Sequence, residues 1–179
     1  EYFIPEEFRD KAYFDAPLPI GKNQTISAPS MVAYMLEKAE LKKGMDVLDI
    51  GAGSGWLAGL IAEIIGKNGR LTTVEMHYDL MEKAKFNLYR FGLKNIEYVV
   101  GDGSCGYKKN APYDRIIVSA CTPSIPDEMK SQLKKNGKII APVGSLFYQM
   151  LVIYDKKTNK EESVMPVLFV LMAGKCGFK

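Results

Sequence analysis

The segment Val47-Leu48-Asp49-Ile50-Gly51-Ala52-Gly53-Ser54-Gly55-Trp56 decides the fold. A buried-strand pattern runs into three alternating glycines, and an apolar helical pattern begins at Trp56. Glycines at such a turn let the backbone bend sharply and let a ligand approach without meeting a Cβ. The spacing therefore marks the mouth of a nucleotide pocket. A dinucleotide fingerprint requires Gly, Gly and then Gly or Ala at the positions of Gly51, Gly53 and Trp56. The tryptophan weakens a pyrophosphate reading and leaves Gly-x-Gly-x-Gly with Asp49 two residues upstream.

Outward from this turn, hydrophobic runs alternate with amphipathic stretches, the pattern of βαβ units and a mostly parallel sheet. Asp46 to Ile50 and Arg70 to Val74 read as buried strands. Between them Leu57, Leu60, Ile61, Ile64 and Ile65 recur at helical spacing, and Tyr78 to Phe91 repeats the pattern. Ile96 to Val100, Arg115 to Val118 and Lys138 to Ala141 give further strands, with a helix over Pro126 to Leu133. Met150 to Tyr154 and Val164 to Leu171, rich in β-formers, form a hairpin and an antiparallel edge. Phe3 to Gln24, with prolines at positions 5, 17 and 19, reads as an irregular segment draped over the domain. Pro29 suits the first turn of a helix whose body is Met31 to Ala39, with Ser27 as its cap.

The 179 residues, 47% hydrophobic and 25% charged, suit one domain over 1–179 with a real core. A net charge of +3, spread along the chain, argues against a nucleic-acid partner. Cys105, Cys121 and Cys176 are odd in number and far apart, so neither a disulfide framework nor a zinc pattern is expected, and the reading is a reducing cytoplasm. Ile139 to Tyr154, interrupted by Pro142, Gly144, Ser145 and Gln149, falls short of a membrane span. The chain opens at Glu1-Tyr2-Phe3 with no signal segment and no Met, so upstream residues are expected to have been removed. No membrane partner and a monomer are the expectation.

Two further acids stand at strand ends. Glu75 lies ~20 residues beyond the glycine turn, where a carboxylate accepts both hydroxyl protons of an unphosphorylated ribose. Asp102, in Val100-Gly101-Asp102-Gly103, ends the next strand and is placed to accept a hydrogen bond from an adenine amino group. Three acids at three consecutive strand ends beside Gly-x-Gly-x-Gly resemble the cofactor site of methyltransferases that use S-adenosyl-L-methionine. The fold expected from that likeness is α/β, Rossmann-like class I, with about seven mostly parallel strands and the antiparallel C-terminal hairpin.

The methyl acceptor is addressed by Pro17-Leu18-Pro19-Ile20-Gly21-Lys22-Asn23-Gln24-Thr25-Ile26-Ser27-Ala28-Pro29. This stretch closely resembles the signature of the protein-L-isoaspartate O-methyltransferase family. The likeness continues through Ala111-Pro112-Tyr113-Asp114, Ile125-Pro126, Gln132-Leu133, Gly137 and Pro142-Val143-Gly144. It departs at Ser30, where the family usually has His or an aromatic, and the chain is expected to lack the family's N-terminal helices.

What the resemblance implies is repair: methyl transfer to the α-carboxylate of L-isoaspartyl residues in damaged proteins and peptides, leaving S-adenosyl-L-homocysteine. The ester then closes to a succinimide whose hydrolysis returns some normal aspartate. The resemblance implies Ser27 as the active-site serine, with Thr25, Ile26 and Ala28 in the substrate loop, so that 1–28 forms an N-terminal substrate segment packed on the core. It assigns Asp49, Gly51, Gly53, Ser54, Gly55, Glu75, Met76, Asp102 and Gly103 to the cofactor. His77 is the sole histidine, so no Ser-His triad or His-based metal site is expected. A carboxylate acceptor needs no general base, because it is already ionised at neutral pH. Two alternatives stay open: a methyltransferase acting on a small molecule or RNA, and a cofactor-binding protein without catalysis. A base-modifying enzyme would be expected to carry a motif such as Asn-Pro-Pro-Tyr where this chain has Ser119-Ala120-Cys121-Thr122.

Overall fold

The computed structural model describes residues 1–179. After a 3-10 helix, Glu6–Lys11, come β1 (Leu18–Gly21), β2 (Gln24–Ile26) and α1 (Pro29–Ala39). The α/β body then runs β3 (Asp46–Ile50), α2 (Trp56–Ile65), β4 (Arg70–Glu75), α3 (Tyr78–Tyr89), β5 (Ile96–Val100) and β6 (Tyr113–Val118). It closes with α4 (Asp127–Ser131), β7 (Leu133–Gly144), β8 (Gln149–Asp155) and β9 (Lys160–Val167).

One seven-stranded sheet has the order β5-β4-β3-β6-β7-β8-β9. The first five strands are parallel, β8 pairs antiparallel with β7, and β9 pairs antiparallel with β8. The chain winds outward from β3 to β5 and then returns to the other side of β3. The crevice between β3 and β6 is therefore the topological switch point, where ligands bind in open α/β sheets.

Side chains alternate between two cores, as the period of a strand requires. Val47, Leu71, Ile117 and Ile140 face one side, under Val32 and Met35 of α1 and Leu57, Ala58, Ile61, Ala62 and Ile65 of α2. Leu48, Ile116, Val118 and Ile139 face the other, with Ile125, Met129 and Met172. The buried face of α2 thus includes Ala58 and Ala62, while Ile64 is exposed.

Several boundaries differ from the sequence reading. The segment expected to be irregular contains an antiparallel hairpin, β1 with β2, closed by Lys22 and Asn23 at φ 54° and 56°. Positive φ at both turn residues matches the twist of a two-residue hairpin, and Pro19 is tolerated because β1 is an edge strand. The expected helix over Pro126 to Leu133 shortens to α4, because Leu133 already pairs with Tyr113 as the start of β7. β9 begins at the charged Lys160, paired with Asp155, and ends at Val167. Beyond it the buried Gln149 side chain gives and takes hydrogen bonds with the Phe169 main chain, at 3.0 and 2.6 Å, and draws the chain off the sheet edge.

The N-terminal ends of the strands are tied by charge. Asp114 Oδ2 accepts the Asp46 backbone N–H at 2.8 Å and Lys134 Nζ at 2.7 Å, and Lys134 also reaches Asp46. Burial works against the Lys134 ammonium, but Asp114 and Asp46 outweigh it and raise its pKa. In the core, Asp49 is fully buried, and burial pushes its carboxyl up to about 7 despite the Thr73 hydroxyl at 2.7 Å.

Asp114→Ala removes an acceptor for two partners and is expected to cost ~2 kcal/mol, lowering Tm by about 4–8 °C in thermal denaturation. The raised Asp49 pKa means that the folded protein holds a proton the unfolded chain has lost between about pH 4 and pH 7. Stability from this group therefore falls as pH rises through that window. Asp49→Asn is expected to raise the Tm of the ligand-free protein at pH 8, with the gain vanishing by pH 4; an equal gain at both pH values would contradict a buried charge as the cause.

Candidate active site

The crevice forms because β3 and β6 continue to pair beyond their ends: the Ser119 N–H donates to the Ile50 carbonyl at 2.8 Å. This brings Ser119 against the glycine turn. A Cβ on Gly51, at φ 93°, would lie 3.4 Å from the Ser119 Cβ. The next glycine serves the other side, since a Cβ on Gly53 would stand 3.1 Å from Ile20 Cδ1. Ile20 belongs to β1 and is buried, so the N-terminal hairpin sits directly on the turn. Lys22 in the hairpin turn also pairs with Asp79 of α3 at 2.7 Å.

Glu75 ends β4 almost fully buried. Its carboxylate is oriented by the Gly53 N–H at 3.0 Å and the His77 N–H at 2.9 Å. The Asp49 Oδ1 and Ser54 Oγ atoms are buried without a hydrogen-bond partner. Burial is the main cause of the raised Asp49 pKa, the Thr73 hydroxyl opposes it, and the Glu75 charge adds to it.

A cavity of about 110 Å³ opens over the crevice, and Gly51, Gly53, Glu75, Met76 and Gly103 line it together. Thr25 lines this cavity and also an adjoining pocket of about 30 Å³ that contains Ile26, Ser27, Ser54 and Trp56. Gly51, Gly53 and Ser119 border both spaces. Asp49 lies beneath the turn. Gly55 faces away, where a Cβ would lie 3.1 Å from Ala84 and Leu88 of α3.

Ser27 does not cap α1. Pro29 holds the first helical position, and the residue before a proline is driven to extended backbone, so Ala28 is the N-cap at φ −55°, ψ 143°. The Ser27 hydroxyl makes no hydrogen bond within the protein, and neither the Ser27 nor the Ala28 backbone N–H donates to a protein acceptor. Ser30 instead serves the fold, its N–H donating to Asp15 Oδ1 at 2.9 Å; this contact holds the Asp15 carboxyl below its ordinary value.

Asp102 is turned toward the C-terminal segment. Its Oδ1 accepts the Ser104 N–H and its Oδ2 the Lys175 N–H, both at 2.8 Å. Partial burial raises the Asp102 carboxyl, but the contacts from Lys175 and Ser104 outweigh it and leave the pKa lowered. The expectation of no disulfide is corrected here: Cys105 and Cys176 are bonded, with Cα atoms 5.3 Å apart across a sequence separation of 71. The pairing is purely tertiary, which is why spacing did not disclose it. Cys121 alone is free; it is buried, and burial raises its pKa.

The sequence reading missed Ile20, Ser119 and the wall formed by Val170 to Ala173. Ser119 follows the strand beside β3, so the rule that ligands sit at strand carboxyl ends could have found it. The wall carried no local signal.

The profile of the protein-L-isoaspartate(D-aspartate) O-methyltransferase family matches residues 1–177. A protein-L-isoaspartate O-methyltransferase of Methanothrix thermoacetophila is 46% identical over 179 residues, covering 100% of this chain and 85% of that one. The Archaeoglobus fulgidus protein-L-isoaspartate O-methyltransferase 2 is 45% identical over 99% of this chain and 82% of its own length. A solved protein-L-isoaspartate O-methyltransferase superposes with a TM-score of 0.89 at 31% identity, over 99% of this chain and 59% of that one. A Plasmodium falciparum structure assigned to the same activity, in complex with S-adenosyl-L-homocysteine, superposes with a TM-score of 0.84 at 26% identity, over 96% and 84%. On a profile spanning almost every residue and relatives near half identity across its length, the chain belongs to the protein-L-isoaspartate(D-aspartate) O-methyltransferase family.

Proposed function

We propose that this chain transfers a methyl group from S-adenosyl-L-methionine to the α-carboxylate of L-isoaspartyl residues in damaged proteins and peptides. The observation that carries the reading is a separation of charge across the glycine turn. On one side the larger cavity is bordered by the Glu75 carboxylate, above the buried Asp49. On the other, the pocket at Ser27 has no charged lining residue.

The residues present fit the cofactor. The unpartnered Asp49 Oδ1 and Ser54 Oγ leave acceptors near the turn, and the oriented Glu75 carboxylate suits the two hydroxyls of a ribose. Met76, Gly103 and the backbone of Gly51 and Gly53 border the same cavity. When bound, S-adenosyl-L-methionine supplies an electrophilic methyl on a sulfonium.

The chain's own contribution is to hold an anion without protonating it. Ser27 supplies a free hydroxyl, and the Ser27 and Ala28 amides are free donors in the same loop. Thr25, bordering both spaces, and Ile26 shape the passage between them. Fixing the carboxylate in line and stripping its water accelerates a reaction whose charges cancel along its path. We assign the whole chain, 1–179, to one methyltransferase unit with 1–28 as its substrate segment, acting as a monomer in the cytoplasm without nucleic-acid or membrane partners. No helix is long and apolar enough to cross a membrane.

Radiolabelled S-adenosyl-L-methionine offered with matched isoaspartyl and aspartyl peptides is expected to leave base-labile label on the isoaspartyl peptide alone. Label on neither peptide, despite cofactor binding, would sink the catalytic reading. Ser27→Ala, which removes one hydrogen bond to a charged group, is expected to lower kcat roughly 10- to 100-fold with little change in cofactor affinity. Glu75→Ala should instead weaken cofactor binding by about tenfold or more in calorimetry; unchanged affinity would remove Glu75 from the ribose.

A further inference from the structure

The C-terminal segment forms a strap across the cavity. The Cys121 N–H donates to the Val170 carbonyl and the Met172 N–H to the Cys121 carbonyl, each at 2.8 Å, so residues 170–173 wall the space opposite Gly51 and Glu75. Farther on, the Lys175 N–H reaches Asp102 Oδ2 at 2.8 Å, and the Cys176 N–H reaches Ser104 Oγ at 2.9 Å. Gly174 passes so closely that a Cβ would meet Asp102 Oδ1 at 2.3 Å. The last fastening is covalent, between Cys176 and Cys105, one residue beyond the cavity-lining Ser104.

The cavity, open to solvent on one side, holds about 110 Å³, well below the roughly 300 Å³ at which sites for sizeable ligands begin. A nucleoside-sized molecule therefore needs the walls to give, and residues 170–173 are one of those walls, beside Ile20, Gln24 and Thr25 of the hairpin. Two main-chain hydrogen bonds can break and re-form, but the disulfide restrains the segment until it is reduced. Both cysteines are half-buried rather than sealed in the core. Within a reducing compartment, disulfides are characteristically transient or redox-sensing.

We propose that Cys105–Cys176 is a redox-active site, a clasp that a dithiol opens to free the strap; its effect on cofactor exchange rests on the reading of the cavity as the S-adenosyl-L-methionine site. In the exchange, a thiolate of the dithiol attacks one sulfur, expels the other as a thiolate, and forms a mixed disulfide. The second thiol of the reagent then displaces the bound cysteine. Two electrons and two protons pass to Cys105 and Cys176, and the reagent leaves as its disulfide.

The test uses the full chain, oxidised and after dithiothreitol. Alkylation of the denatured protein should count one free thiol when oxidised, that of Cys121, and three when reduced; three in both states would overturn the clasp. Hydrogen exchange without cofactor should show the Lys175 and Cys176 amides exchanging at least tenfold faster after reduction. Stopped-flow release of S-adenosyl-L-homocysteine should accelerate at least tenfold as well. Cys176→Ser should show the fast behaviour in both measurements, whether or not dithiol is present. Equal exchange in the two states refutes the clasp, and faster amide exchange with unchanged product release refutes its role as a gate. Redox-dependent amide exchange in a protein that binds no S-adenosyl-L-homocysteine supports the clasp and overturns the cofactor reading instead.

Discussion

The site depends on two glycines that hold positive φ at one turn. Gly51 turns the chain at φ 93°, which brings Ser119 against the turn and lets the β3–β6 pairing run past the strand ends. Without a Cβ at Gly53, Ile20 can seat the N-terminal hairpin on the same turn. A single short loop therefore fixes two otherwise independent parts: the cavity over the crevice and the Thr25–Ala28 segment beside it. Both glycines also have positive φ, so a substituent there meets backbone strain as well as its neighbours.

This arrangement explains how one fold handles ligands of opposite charge. Asp49 and Glu75 belong to β3 and β4, on the side toward which the chain first winds. The Ser27 pocket receives no carboxylate from them and offers unpaired donors. Buried Asp49 is costly to ionise in isolation, and a cation in the cavity would favour its charged form.

Much of this was legible because the parallel core is buried on both faces and its strands appear as continuous apolar runs. The Asp46–Ile50 strand was read to the residue, and the switch-point turn follows from its glycines. Features set by pairing were not legible. Pro17, Pro19 and Gly21 looked irregular, although a proline on an edge strand costs no ladder bond. The last strand was expected to start at Val164, but it includes the charged Lys160-Glu161-Glu162 stretch, which at the sheet edge only has to face water. Ser27 looked like a cap because Ser is a favoured one, but Pro29 moved the cap to Ala28.

The C-terminal strap follows from the same geometry. Once β9 ends at Val167, the Phe169 main chain has lost its partner on the sheet, and buried Gln149 replaces that partner with both ends of its amide. This turns the chain inward at the one place where the sheet's carboxyl ends are open. There the Cys121 main chain supplies a short parallel pairing, and Asp102 and Ser104 receive the next two amides. Asp102 thus stands between the end of β5 and the strap, tying the position expected to read adenine to that C-terminal segment. Whatever shifts that carboxylate therefore also changes the hold on the Lys175 amide.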